Sequence, residues 1–167
     1  CTQQPVPSVT SIPWNRLNRF SARPKNLQFP LFPFLFCSQE ASLRELVKSQ
    51  ALTNVRFFDY QPIDELRHSL TAANLHLVPL TKELSGCLMP SKLYGILAAG
   101  RPYLTNAPLG SELHSISTTH NVGITVEPGS ARAIANRVLW AAEHQEELDV
   151  MGRNGRQLAE SEYTQQH

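Results

Sequence analysis

Strand-like and helical segments alternate along the chain, and this alternation is the feature that most constrains the fold. Short apolar runs typical of strands occur at Leu31–Cys37, Val55–Phe58, Leu75–Leu80, Tyr103–Leu104 and Val122–Val126. Segments with helical spacing or helix-boundary residues occur at 40–49, 62–72, 91–100, 111–117, 130–146 and 148–162. Strands separated by helices form right-handed crossovers and a parallel sheet that is covered on both faces. The sequence therefore predicts a doubly wound α/β fold.

The first thirty residues differ from the rest. Five prolines, separated by polar residues, occupy positions 5, 7, 13, 24 and 30. Proline withholds a backbone donor from both helix and sheet, so this stretch is typical of a linker or irregular arm. We expect an arm over 1–30 and one α/β domain over 31–167, a length sufficient to bury a core.

The composition argues against several classes of protein. The net charge is +1 and the basic residues are scattered, which argues against a nucleic-acid partner. The three cysteines, Cys1, Cys37 and Cys87, lack C-x-x-C spacing, and the histidines lack ligand spacing. We therefore expect neither a disulfide framework nor a metal site. This cysteine usage fits a reducing cytoplasm.

The start of the sequence, CTQQPVP, lacks the basic and apolar regions of a signal peptide. No apolar stretch approaches the length of a transmembrane helix. Since the sequence does not begin with methionine, we interpret it as a piece of a longer protein.

The segment MPSKLYGILAAGRPYL predicts a well-bounded helix. Ser91 is the expected cap, and Gly100 can close the helix in a left-handed conformation before Pro102. Gly95 lies in the interior, where glycine costs about 1 kcal/mol relative to alanine. Two explanations remain open for it. Either a neighbouring element packs closely there, or a ligand lies across the opening turn of the helix.

The loop before this helix points to an anion site. In a doubly wound fold, ligands bind beyond the carboxyl ends of the strands, where helix N-termini converge. The segment TKELSGCLMPSKLYG follows a predicted strand and contains Ser85-Gly86, whose backbone can approach a ligand closely. Unpaired amides at the start of the helix attract anions, and Lys92 adds a cation. Phosphate is the expected ligand.

A family resemblance follows from several motifs in order. The motifs are LTNVRFFDYQPIDELRHSL, ANLHLVPLTKELSGCLMPSKLYGILAAGRPYL, NAPLGSELHSI, NVGITVEPGSARAIANRVL and MGRNGRQLAESEYT. Together they resemble the C-terminal half of GT-B glycosyltransferases of the family 4 type, and most closely the colanic acid and O-antigen group of bacteria. The resemblance covers about residues 40–164. VPSVTSIPWN is similar to the segment that joins the two halves of such enzymes.

The resemblance implies a Rossmann-like donor-binding half of a retaining transferase. Such an enzyme moves a sugar from a nucleotide diphosphate sugar, with no other cofactor, to a saccharide or lipid-linked acceptor, which a separate N-terminal half binds. It implies a place in the cytoplasm or at the inner face of the membrane. The matching residues are Ser85, Gly86, Pro90, Ser91, Lys92 and Leu93 facing the diphosphate and donor sugar, Gly95 at the ribose, Phe58, Tyr60 and Gln61 beside the nucleobase, and Glu112 near the donor sugar.

The sequence departs from the family pattern at two places. The Glu-x7-Glu pair of many members falls at Cys87 and Gly95. Family members open this half with a unit of strand, glycine-rich turn and helix. Residues 11–39 contain no recognisable version of that unit, so the first strand–helix unit is missing or altered. We therefore leave the catalytic residues unassigned and expect weak nucleotide-sugar binding with little turnover. A non-catalytic nucleotide-sugar-binding or interaction module is the alternative.

Overall fold

A computed structural model describes residues 40–59, 62–80 and 90–163 of the chain. The elements are α1 (Glu40–Ser49), α2 (Leu66–Ala72, entered through a 3-10 turn at Ile63–Glu65), β1 (His76–Val78), α3 (Ser91–Ala98), β2 (Tyr103–Thr105), α4 (Glu112–Thr119), β3 (Gly123–Thr125), α5 (Ala131–Glu143) and α6 (Gln145–Glu162). The strand predicted at Leu31–Cys37 and the arm predicted at 1–30 lie outside the described residues. Instead of the strand predicted at 55–58, the structure has an isolated β-bridge at Val55.

The three described strands form a parallel sheet in which β2 lies between β1 and β3. The register aligns Leu77 with Leu104 and Ile124 across the middle row. Parallel neighbours need a crossover connection, and α3 and α4 provide the two crossovers. The parallel sheet predicted from the alternation is confirmed.

Helices pack on both faces of the sheet. Successive side chains of a strand point to opposite faces, so Tyr103 and Leu104 of β2 begin two separate core clusters. The first core cluster joins Tyr103 to buried residues of α3, α4 and α6, which are Leu93, Ile96, Leu97, Leu113, Leu158 and Ala159. The second core cluster joins Leu104 and Ile124 to Ala141 of α5 and Leu148 of α6. This two-sided covering confirms the doubly wound prediction.

The C-terminus of α3 closes as the sequence predicts. Gly100 adopts a left-handed conformation with φ of +66°. Its amide donates to the Leu97 carbonyl at 2.9 Å, and the Arg101 amide donates to the Ile96 carbonyl at 3.2 Å. These two bonds satisfy carbonyls that a helix end leaves open.

Helix α6 crosses the end of α3 at very short range. A Cβ added at Gly152 would overlap the carbonyl oxygen of Gly100. Three residues later, a Cβ at Gly155 would lie 3.0 Å from a terminal methyl of Leu97. The guanidinium of Arg156 donates to the Ala98 carbonyl at 2.5 Å. The two helices therefore meet almost backbone to backbone, which requires glycine at the crossing.

A buried hydroxyl pair links the sheet to α4. The Ser117 hydroxyl donates to the Leu113 carbonyl at 2.6 Å. Since that bond uses its only proton, the Tyr103 hydroxyl is the donor in the 2.7 Å bond to Ser117 Oγ. Burial raises the pKa of Tyr103 to about 12, while the hydrogen bond to Ser117 acts in the opposite direction.

The stability of the domain is expected to fall between pH 10 and about 12 because of Tyr103. Its folded pKa of about 12 exceeds the unfolded value of 10.0, so the unfolded state loses the proton first as the pH rises. The raised pKa of Tyr103 makes its full contribution to the free energy of unfolding below pH 10. Roughly 2 to 3 kcal/mol of this contribution is lost by pH 12. Urea unfolding of wild type and Tyr103→Phe at several alkaline pH values measures it. A stability difference between the two proteins that does not change with pH would contradict the assignment.

Candidate functional site

Three helices begin at the carboxyl edge of the sheet, and two of them carry a side-chain cap. The Ser111 hydroxyl accepts from the His114 amide at 3.3 Å at the start of α4. The Ser130 hydroxyl accepts from the Ala133 amide at 3.1 Å at the start of α5. The N-cap residue of α3 is Pro90, whose side chain has no group that can accept a hydrogen bond. The amides at the start of α3 are therefore left without a cap from this position.

Ser91 is not the cap of α3, so that prediction is wrong. Pro90 has extended angles, with φ of −63° and ψ of 124°, and Ser91 is the first helical residue. The Leu93 amide donates to the Pro90 carbonyl at 2.9 Å. The amides that precede Leu93 in the first turn have no acceptor within the helix. The side chains of Ser91 and Lys92 are exposed at this end.

Leu93 and Gly95 face the protein interior. The Leu93 side chain is fully buried in the first core cluster, so only its backbone could meet a ligand. A Cβ at Gly95 would lie 3.3 Å from a terminal methyl of Leu70 in α2. Of the two explanations for the glycine, close packing thus has a physical basis in the structure. A ribose contact at Gly95 stays a prediction.

Side chains at the end of β2 hold the chain where it leaves β1. The buried Thr105 hydroxyl donates to the Val78 carbonyl at 2.8 Å. The Leu80 amide donates to Asn106 Oδ1 at 2.7 Å, and Asn106 Nδ2 donates to the Leu80 carbonyl at 2.8 Å. Sequence reasoning missed both residues, although a Thr-Asn pair that ends an apolar strand is the signal that could have found them.

Glu112 is the first residue of α4 and is exposed next to an aromatic pair. Tyr94 of α3 and Tyr163 beyond α6 contact edge to face, with ring centroids 4.9 Å apart and an interplanar angle of 75°. Burial raises the pKa of Tyr163, and Glu162, Tyr94 and Glu112 raise it further. Glu112 therefore lies near this pair, and its contact with a donor sugar stays a prediction.

The remaining predicted contacts are scattered over the chain. Phe58 is about half exposed. Tyr60, Gln61, Ser85 and Gly86 lie outside the described residues.

Within the described ranges, no group of three or more His, Cys, Asp or Glu residues could hold a metal ion. None of the helices in the same ranges is long and apolar enough to span a bilayer.

His76 has a structural role in the described part of the chain. Its ring Nε2 lies 2.9 Å from the Leu70 carbonyl, and Arg101 donates to the Thr71 carbonyl at 2.5 Å. Burial lowers the pKa of His76, the hydrogen bond to Leu70 raises it, and the charges of Arg101 and Lys92 lower it further. A neutral, packed imidazole here ties the end of α2 to β1.

The fold resembles part of a solved GT-B glycosyltransferase structure. Sucrose-phosphate synthase from Thermosynechococcus elongatus superposes with a TM-score of 0.61 over 72% of this chain and 29% of its own, at 23% identity. The sequence matches no protein-family model.

Two bacterial proteins relate the sequence to glycosyltransferases. The putative colanic acid biosynthesis glycosyl transferase WcaI of Escherichia coli K12 is 31% identical over 96 residues, which are 57% of this chain and 24% of that protein. The probable glycosyltransferase WbjE of Pseudomonas aeruginosa is 29% identical over 103 residues, or 59% of this chain and 26% of that protein. The chain thus spans about a quarter of the length of these relatives. Sequence and fold together relate the chain to a part of GT-B glycosyltransferases. The resemblance to such a part that the sequence motifs indicated is confirmed.

Proposed function

We propose that the domain binds the diphosphate of a nucleotide diphosphate sugar at the N-terminus of α3. In this proposal it is the donor-binding part of a retaining glycosyltransferase that acts on a saccharide or lipid-linked acceptor in cell-surface polysaccharide synthesis. A second, N-terminal half would supply the acceptor site, in the cytoplasm or at the inner face of the membrane. The names of the two bacterial relatives support the reaction class, and that of WcaI supports the polysaccharide role.

The observation that carries the proposal is the start of α3 at Pro90. Its two neighbours at this edge of the sheet use serine caps, whereas the side chain of Pro90 offers no acceptor to the first amides, and its carbonyl accepts only from Leu93 among the described hydrogen bonds. Those amides and the positive end of the helix dipole suit an anion. A charge-assisted hydrogen bond contributes about 1.5 to 3 kcal/mol. The exposed Lys92 side chain adds positive charge at the same turn.

This arrangement suits a leaving diphosphate. When the bond between the anomeric carbon and the diphosphate oxygen breaks, negative charge grows on the diphosphate. Preorganised amides and a cation stabilise such charge without reorganising during the reaction. The other donor contacts proposed by resemblance are Phe58, Tyr60, Gln61, Ser85, Gly86, Gly95 and Glu112.

A non-catalytic nucleotide-sugar-binding module is the second candidate. The positions that carry a carboxylate pair in many GT-B enzymes are occupied here by Cys87 and Gly95. At Gly95 the packing of Leu70 also takes the space next to the backbone. Saturable binding with no release of nucleoside diphosphate from a bound nucleotide-sugar is the result that this candidate predicts.

The binding proposal is tested by calorimetric titration of the full chain with UDP, GDP and their sugars. We expect weak but saturable binding of one nucleotide, and a loss of about ten-fold or more in affinity for Lys92→Met, the effect of removing one charged contact. Lys48→Met, which removes an exposed lysine at the end of α1, is the control and should bind like wild type. Absence of saturable binding to wild type, or equal losses in both variants, would contradict the proposal.

A further inference from the structure

We infer that Asn106 is a positioning residue for the anion site at the start of α3, an inference that rests on the proposed function. The side chain itself is not expected to touch the ligand. It acts through Leu80, the residue at which the chain leaves the carboxyl edge of the sheet beyond β1.

The carboxamide of Asn106 bonds to the chain beyond the last backbone pair of β1 and β2. The backbone register between β1 and β2 ends at the pair Val78 and Thr105. Two residues after Val78, the amide and the carbonyl of Leu80 are both bonded to the Asn106 side chain, at 2.7 and 2.8 Å. A carboxamide has one acceptor oxygen and one donor nitrogen, so it can satisfy both backbone groups at once. Two bonds to one residue fix its orientation as well as its position.

The Leu80 side chain and the first turn of α3 pack against the same core cluster. The Leu80 side chain packs against the first core cluster, and the Leu93 side chain is a buried member of it. The Leu93 amide in turn closes the first turn of α3 onto Pro90. A Leu80 released from Asn106 would repack against the cluster that seats this turn. Because hydrogen bonds weaken steeply with poor alignment, a small shift of the first amides would reduce anion affinity.

Thr105 supplies a matched control for this inference. It also bonds the outgoing chain, through its hydroxyl and the Val78 carbonyl at 2.8 Å. Val78, however, is itself paired with Thr105 in the backbone register, at its last position, and this pairing holds it when the side-chain bond is lost. Thr105→Val should therefore destabilise the domain without moving Leu80 or the start of α3.

The experiment compares Asn106→Leu with Thr105→Val in the full chain, with inorganic pyrophosphate and UDP as probes. Both variants should unfold at lower urea concentrations than wild type. We expect Asn106→Leu to weaken binding of both probes by roughly five-fold or more, and Thr105→Val by less than about two-fold. Asn106→Ser, a smaller change, is used if Asn106→Leu does not fold. Wild-type affinity in the Asn106 variant, or an equal loss in Thr105→Val, overturns the inference.

Amide hydrogen exchange separates this inference from the proposed function. In Asn106→Leu the Leu80 and Leu93 amides should exchange at least about ten-fold faster, whereas in Thr105→Val they should exchange as in wild type. If wild type binds neither probe, the proposed function fails, and the exchange rates still decide whether Asn106 positions Leu80 and the first turn of α3. Unchanged exchange at Leu80 and Leu93 in the Asn106 variant overturns it.

Discussion

Gly152→Ala is expected to destabilise the domain by roughly 3 kcal/mol, although alanine favours helix formation by about 1 kcal/mol over glycine. The reason is the crossing of α6 over α3, where the new Cβ would overlap the carbonyl oxygen of Gly100. That oxygen belongs to the backbone at the closed end of α3, so it cannot rotate away as a side chain would. The helices would have to separate, which would open the first core cluster around Leu97 and Leu158.

Urea unfolding of three variants measures this effect. Gly155→Ala should cost less than Gly152→Ala, because its Cβ would meet a terminal methyl of Leu97 that can move aside. Arg153→Ala changes an exposed position of α6 and should alter the free energy of unfolding by about 0.5 kcal/mol or less. A Gly152→Ala protein as stable as wild type would show that α6 and α3 do not meet as described.

The second large effect is expected from Ser91→Pro, which deletes one amide hydrogen at the start of α3. Proline fits the first position of a helix, where its fixed φ is already helical, and the ψ of 124° at Pro90 suits a following proline. The helix should therefore be retained while one proposed donor to the diphosphate is removed. A charge-assisted bond of about 1.5 to 3 kcal/mol corresponds to roughly ten-fold or more in affinity for UDP or pyrophosphate.

Ser91→Ala is the matched control, since it removes the hydroxyl and keeps the amide. Binding is followed by calorimetry, and circular dichroism with urea unfolding verifies that both variants are folded. We expect Ser91→Ala to bind like wild type. Wild-type affinity in Ser91→Pro would place the anion away from this amide, and an equal loss in Ser91→Ala would assign the contact to the hydroxyl.

Much of the fold could be predicted from local sequence patterns. Helix α1 has the predicted bounds of Glu40–Ser49, and α5 and α6 lie close to the predicted ranges of 130–146 and 148–162 because their apolar spacing is regular. The strand predicted at 75–80 is shorter, since its backbone ladder ends at Val78 and the next residue, Pro79, has no amide hydrogen to donate.

The candidate site was less predictable, because its details depend on contacts between distant residues. The position of the α3 N-terminus followed from the alternating pattern, but which of Pro90 and Ser91 is the cap depended on backbone angles that composition does not determine. Asn106 is bonded to a residue 26 positions earlier in the chain. The Thr-Asn pair at the end of an apolar strand could have drawn attention to Asn106, but no spacing rule along the sequence predicts that its partner is Leu80.

The contact between Leu70 and Gly95 has a consequence for how this chain can diverge. A large side chain on α2 occupies the space that a small residue leaves on α3, so the two positions are complementary in volume. Any acidic side chain that arose at position 95 would displace a leucine packed against the first core cluster. Accepting that change would require a compensating reduction at position 70, and the two sites should therefore covary among descendants of this sequence.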